Sequence, residues 1–87
     1  MKIKDGFVLR RIPEMNLVMP AGENINTYKG ALLLNDTAAL IYEGLAEGLD
    51  KMAILDRMTR EYNVTAEKAL EDIEKTFALL VEGGVAE

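Results

Sequence analysis

The chain has 87 residues, with ten Lys or Arg against fifteen Asp or Glu and a formal charge of −5. It contains no Cys, His or Ser, which removes disulfides, thiolate metal sites, the commonest general base and the commonest hydroxyl nucleophile. The acidic balance argues against a nucleic-acid partner, whose affinity rests largely on phosphate neutralisation.

Residues 7–12, "FVLRRI", are β-prone and stop at Pro13, which pre-sets the backbone for a turn. In "MNLVMP", Met15, Leu17 and Met19 alternate with Asn16 and Val18, the period of a second strand. Pro20 lacks a backbone donor and so belongs near the end of that strand. The two strands are close enough in sequence to pair as a hairpin. "AGENINTYKG" is a polar, glycine-flanked loop, and "ALLLN" reads as a third strand beginning near Tyr28.

Asn35 suits a helix N-cap, and Asp36 adds negative charge where the helix dipole favours it. The first helix should run to about Glu47, with Gly48 as its stop, and turn Ala38, Ile41, Tyr42 and Leu45 inward. Asp50 can cap a second helix through about Tyr62, with Met52 or Ala53, Ile54, Leu55 and Met58 inside. "YNVT" is a short turn. Thr65 can cap a third helix from Ala66 to about Glu82, ended by Gly83-Gly84, with a core stripe of Ala66, Leu70, Ile73, Phe77, Leu80 and Val81. The expected architecture is α+β: three strands followed by three helices. No linker, low-complexity segment or internal repeat interrupts a single domain over 1–87.

Little in this order points to catalysis. Glu67, Glu71 and Glu74 share one flank of the third helix, and a solvated acidic face accounts for them better than a catalytic dyad. There is no Gly-x-Ser-x-Gly elbow and no phosphate-cradling glycine loop. Asn63-Val64-Thr65 matches a glycosylation sequon but reads as a turn followed by a helix cap. The expectation is a protein that is not an enzyme and needs no metal or cofactor. No apolar run reaches the ~18 residues of a membrane span. "MKIKDGFVLRR" lacks the apolar core of a signal peptide, so a cytoplasmic location is expected.

Two binding readings remain. The second and third helices could form a helix-turn-helix with the third as recognition helix. Residues 65–87, however, hold two positive charges against six negative ones, a net of −4 that phosphates would repel. The other reading starts from the aliphatic strand at 31–34. A three-stranded sheet has two edges, and a free edge can accept an extended peptide as a further strand. Ala69, Asp72 and Thr76 share one flank of the third helix beside the core stripe. If that flank faces the strand edge, a shallow groove with one carboxylate results.

"ALLLNDTAALIYEGL" resembles the signature of PqqD-like proteins, also called RiPP recognition elements. There a strand ends in Leu-Asn and a helix follows, as Leu-Asn-x-x-Gly-Ala-x-Ile-Trp-x-x-Leu. Leu34, Asn35, Ala39, Ile41 and Leu45 match, while Ala38 replaces the usual Gly and Tyr42 the usual Trp. "ALEDIEKTFALLVEGGV" is similar to the family's Asp-Val-x-x-Phe-Leu-x-x-Leu-x-x-x-Gly run: Asp72, Ile73, Leu80 and Gly84 fall on it, with Thr76 and Phe77 in place of Phe-Leu. "FVLRRI" resembles the family's opening strand. The resemblance covers about residues 6–86, although the loop at 20–29 is longer than in the shorter members.

The resemblance implies a winged-helix-like fold and a peptide chaperone. Such domains bind the leader of a ribosomally made precursor peptide and present it to a modifying enzyme, often a radical SAM enzyme. The leader adds as an antiparallel strand to the third strand and lies against the third helix. On that basis Ala31, Leu32, Leu33 and Leu34 are the expected strand side of the site, and Ala69, Asp72, Ile73 and Thr76 the helix side. A generic winged-helix protein-interaction module and an acidic DNA-associated regulator are the alternatives. Both a monomer and a homodimer fit, because a free strand edge can also pair with its own copy.

Overall fold

The computed structural model describes residues 1–22 and 31–87. Phe7–Ile12 (β1) and Met15–Pro20 (β2) pair antiparallel from Phe7 opposite Pro20 to Ile12 opposite Met15. Pro13 and Glu14 make the turn, and Glu14 takes the left-handed φ of 74°. Leu32–Leu34 (β3) pairs antiparallel with β2, Asn16 lying opposite Leu34 and Val18 opposite Leu32. The sheet order is β1-β2-β3, so β1 and β3 are its edges. The third strand is shorter than "ALLLN": Ala31 precedes it and is exposed. The expected start near Tyr28 lies outside the described residues.

Antiparallel partners share a face of the sheet. One face turns Val18 and Leu34 into the core and half-buries Leu9 and Leu32. The other presents Val8, Ile12, Met15, Met19 and Leu33 to solvent. Alternation in "MNLVMP" identified a strand but not its inner side; the buried set is Asn16 and Val18.

Asp36–Ala46 (α1) starts as the sequence suggests, Asn35 Oδ1 accepting the Ala38 amide at 2.8 Å. Ala38, Ile41, Tyr42 and Leu45 are buried, and so are Ala39, Leu40 and Gly44, making α1 the central helix. Gly44 is required by close packing: a Cβ there would lie 2.8 Å from Cγ1 of Ile54. Lys51–Glu61 (α2) is capped by Asp50, whose Oδ1 accepts the Ala53 amide at 2.9 Å. Ile54 and Met58 are buried and Leu55 is partly so; at the first turn Ala53, not Met52, is the partly covered residue.

Ala66–Glu82 (α3) is capped by the Thr65 hydroxyl, which accepts the Lys68 amide at 3.1 Å. Its buried stripe is Ala69, Ile73, Thr76 and Leu80. This corrects the expected stripe. Ile73 and Leu80 hold, and Phe77 is partly buried, but Ala66, Leu70 and Val81 are exposed. The helix is turned so that small residues, Ala69 and Thr76, face inward. Beyond α3 the chain returns to its start. Ile3 forms an isolated antiparallel bridge with Ala86, and the Lys2 and Glu87 backbones bond reciprocally at 2.9 Å. Val85 is fully buried there. Each fully buried Leu, Ile or Val contributes about 1.5–3 kcal/mol.

Candidate functional site

The free edge of β3 is held in place by polar contacts at its C-terminal end. Asn16 is 5% exposed, and its Nδ2 donates to the Leu34 carbonyl at 3.1 Å and to Asp36 Oδ1 at 3.0 Å. Its Oδ1 accepts from Arg11 Nε at 3.2 Å. One side chain of β2 thereby ties the end of β3 to the start of α1, while Arg11 also pairs with Glu43 on α1. Leu34 is anchored in the core, and its neighbour Leu33, pointing the opposite way, is 60% exposed. Among the described residues no strand pairs with β3 on its outer side.

A shallow groove of about 410 Å³ opens beside this edge. Leu33, Leu34 and Asn35 line one wall, and Thr37 and Ala38 line the end at α1. The far wall is α3, through Lys68, Asp72, Lys75, Thr76 and Leu79. Positions 68, 72, 75 and 79 fall on one helical face by their spacing. Lys68 Nζ donates to Asp72 Oδ1 at 3.0 Å, and Lys75 pairs with Glu71 at 3.0 Å. The hydrogen bond to Asp72 holds the Lys68 ammonium above its ordinary pKa. The hydrogen bond from Lys75 holds the Glu71 carboxyl below the usual carboxylate range. A second depression shares Leu33, Leu34 and Asn35 and is completed by Glu14, Met15, Asn16 and Asp36.

The residues expected from sequence divide into two groups. Leu33, Leu34, Asp72 and Thr76 meet along the groove. Leu32 is half-buried on the core face of β3, and Ala31 is exposed just before the strand. Ala69 and Ile73 are fully buried in the core, so their side chains do not line the groove. Lys68, Lys75 and Leu79 also line the groove and are not among the residues expected from sequence. Their spacing with Asp72 carries a signal for them, but a core stripe that includes Leu70 and Val81 turns them away from the groove. Among the described residues, no three acidic side chains gather to hold a metal ion, and no helix is long and apolar enough to cross a membrane.

The family model described as coenzyme PQQ synthesis protein D (PqqD) matches residues 16–86. The chain belongs to the PqqD family. The match takes in β2 from its second residue, the β3 edge and all three helices, and so every residue of the groove. The fold of this PqqD-family chain is also similar to a solved structure described as TbiB1 in complex with the TbiA(beta) leader peptide. That likeness has a TM-score of 0.81 at 23% identity, covering 100% of this chain and 95% of the other. Comparison with curated protein sequences finds no match.

Proposed function

We infer that this PqqD-family protein is a non-catalytic peptide chaperone. It binds the leader of a ribosomally synthesised precursor by strand addition to β3 and presents it to a modifying enzyme, of which a radical SAM enzyme is the expected kind. The observation that carries the reading is the outer edge of β3, which no strand among the described residues pairs, pinned by Asn16 and faced across an open groove by α3. Family membership and a fold shared with a protein solved with a leader peptide support it.

The energetics require more than backbone pairing. A three-residue strand offers about two or three outward hydrogen bonds, each contributing roughly 1 kcal/mol net. One or two leader side chains buried against Leu33, Ala38 and Leu79 would add about 1.5–3 kcal/mol each. Ordering the leader opposes this by about 2–5 kcal/mol. Micromolar affinity corresponds to about −8 kcal/mol, so side-chain anchors in the groove carry much of the binding.

Calorimetric titration with the leader of a ribosomal precursor peptide, taken from any short reading frame found beside the gene, tests the reading. The intact leader should bind with micromolar affinity and a scrambled leader should not. Equal binding of both, or of neither, contradicts it.

A further inference from the structure

The protein carries a formal −5, yet the groove wall on α3 is lined by two ammonium groups, Lys68 and Lys75, with Asp72 as its one lining carboxylate. Glu71, 3.0 Å from Lys75 and 3.9 Å from Lys68, balances the pair from outside the lining. The existing partners hold these ammonium groups loosely. The side chains of Lys68 and Lys75 are 55% and 71% exposed, and those of their partners Asp72 and Glu71 are 25% and 54% exposed. Such solvent-facing pairs contribute only about 0–1 kcal/mol, so either ammonium can turn to an incoming carboxylate at little cost.

An extended peptide laid along β3 changes their surroundings. It excludes water from the groove, which strengthens every charge interaction inside and penalises an ammonium left without a partner. A peptide with a carboxylate on the side facing α3 meets this condition, and one with a basic residue there adds like charge. The neighbouring depression, beyond Leu33 and Leu34, carries Glu14 and Asp36 and repels acids. The acidic residue is therefore confined to the α3 side, while alternate residues of the added strand point to the opposite face of the sheet.

We propose that Lys68 and Lys75 select leader peptides carrying an Asp or Glu on the groove-facing side of the added strand. This rests on the leader-binding reading and specifies which peptides it admits. Lys68 and Lys75 are specificity-determining residues, and Asp72 holds Lys68 in place until the peptide arrives.

A display library of random twelve-residue peptides, selected on the whole chain, provides the test. Amide-shift mapping of the enriched peptides identifies those that occupy the groove. Groove-binding peptides should be enriched in Asp or Glu at one fixed position, with apolar residues at odd spacings from it. The double variant Lys68→Glu, Lys75→Glu should select Lys or Arg there and weaken the original peptides about tenfold or more. Lys68→Gln, Lys75→Gln should weaken them less and lower the melting temperature at most slightly, because both side chains are exposed. Peptides that occupy the groove with no acidic preference, or that keep it in the charge-reversed variant, overturn the charge selection and leave leader binding standing. Failure to enrich any groove-binding peptide overturns both.

Discussion

The Asn16 side-chain amide donates to the Leu34 carbonyl at 3.1 Å, joining the middle strand to the strand edge from inside the protein. The same amide reaches Asp36 at 3.0 Å, so it links the groove's strand wall to the start of α1. Removing the donor leaves the buried end of β3 without this polar support. Asn16→Leu should cost about 1–3 kcal/mol in urea denaturation. Asn16→Asp should be harsher at neutral pH, where a second carboxylate would face Asp36. That excess should shrink in acid, as protonation restores an O–H donor. Equal effects at both pH values would show that the amide does not hold this junction.

Leu33 and Leu34 are neighbours with opposite surroundings, 60% and 2% exposed. Leu34→Ala should cost about 2–5 kcal/mol of stability through the cavity it leaves. Leu33→Ala should change stability by no more than about 0.5 kcal/mol and yet weaken leader binding. Paired denaturation and calorimetric measurements check both. Loss of stability at Leu33 and none at Leu34 would mean that the strand presents the opposite face.

Two surface carboxylates give the protein a small acid sensitivity. Hydrogen bonds from Arg57 at 2.7 and 3.1 Å hold Glu47 below the usual carboxylate range, and Lys75 does the same for Glu71. Because the folded values are depressed, the stabilisation is complete above the ordinary carboxylate pKa. It is lost as pH falls through the folded values. Both groups are exposed and screened by solvent, so the effect is slight. Glu47→Gln combined with Glu71→Gln should make the fall in melting temperature between neutral and acid pH smaller than in the parent. An unchanged fall would remove these pairs from the account.

Much of the fold was legible because its signals are local. Asn35, Asp50 and Thr65 each cap the helix that their position suggested, since a cap needs only a short side chain before the first turn. The third helix was harder, because hydrophobicity is not burial. Leu70 and Val81 are 38% and 47% exposed, whereas Ala69 and Thr76 are buried where the helix packs closely. That rotation also decided which side chains face the groove. Asp72 and Thr76, on the flank the spacing allows to face the strand edge, line the groove, and so do Lys68, Lys75 and Leu79, which the spacing does not single out. Asn16 gives no sequence signal, because the groups its side-chain amide donates to lie 18 and 20 residues away and meet only when the sheet forms.

An extended leader should pair with β3 beside α3, and amide NMR of the labelled protein, titrated with a precursor leader peptide, reads that pairing residue by residue. Shift changes should cluster at Ala31–Asn35 and along Lys68–Leu79, and β3 amides bonded to the leader should exchange more slowly with solvent. Changes confined to Lys51–Glu61, or none at millimolar peptide, would contradict it.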